Sequence, residues 1–110
     1  GEVTLQLSYT LPAGYALNPN VASTYRLGEA GSTAELRGEL TGLQQEIRFS
    51  AGAGEKEFQL GVTLYYCEKE DPSVCFVDDV LFELPAVVTD GAATRRMRAT
   101  RELPLPTALP

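Results

Sequence analysis

The sequence predicts an all-β domain, an immunoglobulin-like antiparallel sandwich of about seven strands. Three observations carry that prediction. Apolar residues recur at every second position over most of the chain, turn-forming glycines, prolines and Asp-Gly or Asn-Pro pairs interrupt these runs at short intervals, and no segment sustains a helical period.

Residues 2 to 9 alternate without a break, with Val3, Leu5, Leu7 and Tyr9 opposed by Glu2, Thr4, Gln6 and Ser8, the pattern of a half-buried strand. Leu11 to Asn20 contains Pro12, Gly14 and the pair Asn18-Pro19, and reads as a loop anchored by Tyr15 and Leu17. An extended piece from Val21 to Leu27 ends at the turn Gly28-Glu29-Ala30-Gly31. From 33 to 41 two readings compete. Ser32 and Glu35 resemble a capping box, but Gly38 and Gly42 weaken a helix, and the series Ala34, Leu36, Gly38, Leu40 fits a strand better. Gln45, Ile47 and Phe49 repeat the alternation. Ala51 to Gly54 predicts a hairpin turn into the longest, central strand, whose core face is Phe58, Leu60, Val62, Leu64 and Tyr66.

Beyond the cysteines, Val80, Phe82 and Leu84 form another such series, which Pro85 bends or confines to a sheet edge and which 87–89 extend. Asp90-Gly91 is a turn pair, and Ala93 to Leu103 reads as the last strand. There Arg96 and Arg98 face one way and Arg95, Met97, Ala99 and Arg101 the other; of an anionic partner and a cationic edge strand that resists edge-to-edge pairing, the edge strand is the favoured reading. The tail Leu103-Pro104-Leu105-Pro106 cannot be an interior strand.

With 110 residues the default is one domain spanning 1–110, and a start at Gly1 without Met fits excision from a larger multidomain protein. No apolar run reaches the roughly 20 residues of a transmembrane helix, so membrane insertion is not expected. A net charge of −6 opposes nucleic-acid binding, which depends on cations meeting phosphates. The chain has no histidine, which removes Ser-His-Asp and Cys-His catalysis and His-ligated zinc. Two cysteines cannot complete a structural zinc site alone, so no metal and no cofactor is implied. Gly52-Ala53-Gly54 lacks the following helix of a phosphate loop, and Asp78-Asp79 reads as a solvated turn.

Any chemistry of the chain's own therefore centres on Cys67 and Cys75, which enclose Glu68 to Val74 between two strand-like runs. Pro72 turns this loop and brings the thiols within bonding distance. Closing a loop of about nine residues stabilises by about 2.6 kcal/mol on the chain-entropy argument, so a structural staple is reasonable. A redox pair is the competing reading. Glu68, Glu70, Asp71, Asp78 and Asp79 surround the cysteines against the single cation Lys69, which disfavours an attacking thiolate. The disulfide can still accept attack from another protein's thiolate, a role that needs exposure more than a low pKa. Alternation places Tyr65 and Cys67 on the outer face, where Tyr65 would shield the bond from small thiols. If the disulfide is structural, an extracytoplasmic compartment, periplasmic or secreted, is favoured. The chain is not expected to be an enzyme by itself, at most a thiol-disulfide exchange module.

Two stretches resemble a known arrangement: Leu11-Pro12-Ala13-Gly14-Tyr15-Ala16-Leu17-Asn18-Pro19, and Tyr65-Tyr66-Cys67 through Cys75 to Leu84-Pro85. Together they are similar to the C-terminal β-domain of bacterial proteins that join a thioredoxin-like domain to NHL repeats. A more distant similarity is to the N-terminal immunoglobulin-like domain of DsbD, whose hairpin cysteines pass electrons to partners. The resemblance implies an accessory sandwich whose partner is a thioredoxin-like domain in the same chain or another protein, with Cys67 and Cys75 as the redox pair. The chain departs from the DsbD pattern in its longer intervening loop, in the absence of Gly-Cys or Cys-Tyr-Pro-Pro around the cysteines, and in having no aromatic cap loop. These departures bear on electron transfer more than on fold.

Overall fold

A computed structural model describes residues 1–91 and 94–106. Among the described residues eight strands follow one another without a helix: β1 (Glu2–Thr10), β2 (Tyr15–Leu17), β3 (Thr24–Glu29), β4 (Glu35–Glu39), β5 (Gln44–Ser50), β6 (Gly54–Glu68), β7 (Cys75–Val88) and β8 (Thr94–Glu102). They form two sheets packed as a sandwich. The first has the order β5-β1-β8. In the second, β6 is central, with β7 along one side, β2 and β3 on successive stretches of the other, and β4 beyond β3. Among the described residues no helix is long and apolar enough to cross a membrane.

The core comes from the alternation of the longest strands. Val3, Leu5, Leu7 and Tyr9 of β1 meet Phe58, Leu60, Val62, Leu64 and Tyr66 of β6, and all nine are buried. Each such side chain contributes on the order of 1.5–3 kcal/mol by leaving water. Ile47, Met97 and Ala99 complete the first sheet's inner face, and Leu27, Ala86 and Val88 the second's. β8 is an edge strand with Met97 and Ala99 inward and Arg96 and Arg98 outward, as the sequence predicts.

Several local expectations are corrected. β1 and β8 run parallel, whereas the other pairs among the described residues are antiparallel. No short turn links these two strands, so nothing local sets their relative direction. Ala51 to Gly54 does not close a hairpin, and it shares its role with the segment at the turn pair Asp90-Gly91. Each carries the chain from one sheet to the other, because β5 and β8 belong to the first sheet and β6 and β7 to the second. Gly54, at φ +122°, adopts a conformation that side-chain-bearing residues avoid. The segment from Leu11 contains a short strand, β2, and the piece expected from Val21 begins at Thr24. In 33–41 the strand reading holds, as β4, where Gly38 leaves room for the Tyr25 ring opposite it. Pro85 does not interrupt β7, which runs through it to Val88, and β7 lies at a sheet edge as the proline predicts. The predicted start of the last strand, Ala93, lies outside the described residues.

Candidate functional site

The β6–β7 hairpin keeps one register from Gly54↔Val88 to Cys67↔Cys75 without a bulge. Cys67 and Cys75 are therefore directly opposite, 4.0 Å apart at Cα, and are joined as a disulfide. The Glu68 N–H donates to the Val74 carbonyl at 3.0 Å, the bond that flanks a non-hydrogen-bonded pair, in which facing side chains approach most closely. The turn beyond is held by Asp71. Its carboxylate accepts from the Ser73 N–H at 3.2 Å and the Ser73 hydroxyl at 2.5 Å, and these bonds hold its pKa below the usual carboxylate value.

The two segments that carried the family resemblance meet here. β2 lies against the end of β6 with Ala16 opposite Cys67. The Asn18 N–H donates to the Tyr65 carbonyl at 2.9 Å, and the Lys69 N–H to the Gly14 carbonyl at 2.8 Å. Cys67 is thus covered from β2 and only 4% exposed. Cys75 is exposed on the edge strand. The Asn18 amide nitrogen stands 3.9 Å from its Sγ, and the Pro72 carbonyl oxygen lies 3.2 Å away. That last approach is a contact and not a hydrogen bond, because a disulfide sulfur carries no hydrogen. Tyr65 shares the outer face with Cys67, two residues along, and is half-buried, with its N–H donating to Ser23 Oγ at 2.9 Å.

Parity alone gives an outer-face disulfide with both cysteines reachable. The structure instead gives an asymmetric one, because the sheet is wider than a hairpin and β2 covers the Cys67 side. On the inner face of the same end, Tyr15, Tyr66 and Phe76 pack with ring centroids 5.6–6.0 Å apart. Such aromatic contacts add to area burial and hold β2 to the hairpin.

A second polar arrangement escapes the sequence reading. Asp78 is not a solvated turn residue. It sits inside β7 facing the first sheet, where the Arg101 guanidinium donates to both carboxylate oxygens at 2.7 Å. The Tyr9 hydroxyl stands 3.5 Å from the same carboxylate. Burial and then the Asp78 charge push the Tyr9 phenol well above its ordinary range, with Arg101 opposing. The Tyr66 phenol moves the same way, chiefly by burial. Asp78 shares parity with Phe76, Val80 and Phe82, and that was the available signal. Asp79, one residue on, does face outward. Among the described residues no group of three His, Cys, Asp or Glu side chains converges as a metal site would require.

No protein-family model matches the chain, and no curated protein does. The fold and the disulfide are thus the observations from which function has to be argued.

Proposed function

We propose that this chain is a non-enzymatic accessory sandwich module in which the Cys67–Cys75 disulfide locks the β6–β7 hairpin and presents its outer face to a partner. The observation that carries this reading is the burial of Cys67 opposite an exposed Cys75. Any thiolate attacking Cys75 would expel Cys67 as an anion into a covered site, and burial raises the pKa of a thiol and makes it a poor leaving group. A lock of this kind suits an oxidising, extracytoplasmic compartment.

A second reading is favoured by one observation, the exposure of Cys75. In it the disulfide accepts electrons from a thioredoxin-like domain, as the resemblance to thioredoxin-like, NHL-repeat proteins implies. The partner's thiolate bonds to Cys75 Sγ, the intramolecular S–S bond breaks and Cys67 leaves as the thiolate; the partner's second thiolate then attacks the partner sulfur of this mixed disulfide and expels Cys75, so the partner ends as a disulfide and Cys67 and Cys75 as thiols. Reduction by glutathione and by a thioredoxin-like protein, followed by alkylation trapping with Cys67→Ser as the control, separates the two. The lock reading expects slow reduction by both. Reduction by the thioredoxin-like protein at least about tenfold faster than by an equal concentration of glutathione thiol would instead establish the relay.

A further inference from the structure

β7 is 14 residues long and, among the described residues, pairs with β6 alone. Because Cys67↔Cys75 is a non-hydrogen-bonded pair and the register is unbroken, every odd-numbered residue of β7 turns its peptide groups away from β6. Val77, Asp79, Leu81 and Glu83 therefore offer N–H and C=O groups to the open side. Among the described residues no backbone hydrogen bond from another element reaches them. Pro85 is consistent with this geometry, since at an odd position its missing N–H removes nothing from the β6 ladder.

Natural edges are commonly blocked by cations, prolines, inward-pointing charges, bulges or covering segments; on β7 the proline, Pro85, lies beyond 77–83, and the inward charge of Asp78 is paired with Arg101. β8 follows that rule with four arginines, whereas β7 contains no lysine or arginine at all. Its side chains are also incompletely covered on both faces. On the inner face Val80, Phe82 and Leu84 are only partly buried, and among the described residues no strand lies beyond them. On the outer face Val77 is 58% and Leu81 55% exposed, and between and beyond them stand Asp79 and Glu83. Farther along, Glu55 and Glu57 of β6 stand opposite Val87 and Pro85, where Arg95 lines the same hollow, and Arg26 of β3 reaches over Gly61 behind Leu81, so the anionic groups at the free edge itself are Asp79 and Glu83.

We propose that the free edge of β7 accepts an extended segment of a partner protein as an added strand, with lysine or arginine side chains on the outer face alternating with apolar side chains on the inner. Main-chain hydrogen bonds would supply affinity, and the alternation would supply selectivity. Outer positions of the added strand lie opposite Asp79 and Glu83, or opposite Val77 and Leu81 with those acids diagonal to them, where the stem of a lysine or arginine covers the apolar side chain and its charge reaches the acid. Inner positions continue the Val80, Phe82 and Leu84 face, so they favour apolar groups. A second copy fits less well, because it would bring two anionic outer faces side by side in any register, and in the one centred on Leu81 would set Asp79 against Glu83 twice. Asp78 does not enter this count, since Arg101 neutralises it from inside.

This proposal deepens the partner-binding part of the proposed function and leaves the hairpin lock independent of it. The test titrates the disulfide-intact protein with an acetylated, amidated heptapeptide alternating Lys and Val, and with its Glu-for-Lys counterpart, followed by amide chemical shifts. The expected result is saturable binding of the Lys peptide at least about tenfold tighter than the Glu peptide, weakened by salt. Shifts should concentrate at Val77, Asp79, Leu81 and Glu83. Leu81→Lys, at an exposed position that should leave the fold intact, should weaken binding about tenfold by placing a cation on the edge. Equal binding of both peptides, no saturation by millimolar peptide, or shifts centred on β8 or β4 would each overturn the proposal. So would concentration-dependent self-association abolished by Leu81→Lys, which would assign the edge to a second copy. In all those outcomes slow reduction of Cys67–Cys75 would still stand.

Discussion

β7 and β8 border the same side of the sandwich, one from each sheet, and they treat their free edges in opposite ways. β8 faces outward with Arg96 and Arg98 and buries Met97 and Ala99 beneath them. β7 exposes Val77, Leu81 and Val87 in alternation with acids and has no cation. The two strands are tied together from within by the Asp78–Arg101 pair. The difference shows that edge protection is a local property of sequence and not of position in the sandwich. A strand can leave its edge without cations while its neighbour in the other sheet carries four arginines, with one core beneath both.

The largest effect should come from breaking that shared support. Leu64→Ala removes a fully buried side chain of β6, the strand on which β7 is laid down. It should cost about 2–5 kcal/mol in denaturant unfolding and abolish the difference between the edges by loosening both sheets. A smaller cost would mean that the core around Leu64 can collapse to fill the space.

Reducing the lock should come next. Replacing both Cys67 and Cys75 with Ala is expected to cost about 2.6 kcal/mol, read from chemical denaturation of oxidised and variant protein. The loss should be felt at the turn end of β7 more than at Val88, which hydrogen exchange resolves. An unchanged midpoint would show that the aromatic group of Tyr15, Tyr66 and Phe76 holds the hairpin without the disulfide.

The legible and illegible parts of this molecule divide along the same physical line. The core faces of β1 and β6 follow from period-2 alternation, because both are long strands in the middle of their sheets and every inward position must be apolar. The disulfide also follows, since a nine-residue segment containing Pro72 closes on itself. What crosses between distant elements does not follow. Nothing in the local pattern says that Ala51 to Gly54 changes sheets, that β8 runs parallel to β1, or that β2 covers Cys67. Asp78 was hidden for a related reason, because its partner Arg101 lies in the other sheet, and a charge inside a strand is readable only once the facing residue is known.

The link between the two edges is testable at lower energy. Arg101→Met leaves Asp78 largely buried without its partner, so unfolding should cost about 1–3 kcal/mol. Asp78→Asn together with Arg101→Met should recover part of that cost, because no uncompensated charge remains. Equal costs for the single and double variants would show that the pair contributes by packing alone.

The smallest effect is a pH dependence. Tyr9 keeps its proton more strongly when folded than when unfolded, owing to burial and to Asp78, with Asp79 adding to the effect and Arg101 opposing it. The stability it contributes is complete below the ordinary tyrosine range near pH 10 and falls as pH rises beyond it, where the unfolded chain ionises first. Urea unfolding between pH 8 and about 11 should show this decline, and Tyr9→Phe should flatten it while Tyr66 leaves a residual slope. A profile identical in Tyr9→Phe would remove Tyr9 from this account.

The claim that β7 is an open edge can be read most directly from residue-resolved amide hydrogen exchange of the oxidised protein. Phe76, Asp78, Val80, Phe82 and Leu84 donate into the β6 ladder, whereas Val77, Asp79, Leu81 and Glu83 face away from it. The account predicts a strict even–odd alternation along β7, with the odd amides exchanging at least about a hundredfold faster than their even neighbours. Uniform protection of both sets would contradict it, because the odd amides would then have partners and the edge would be closed.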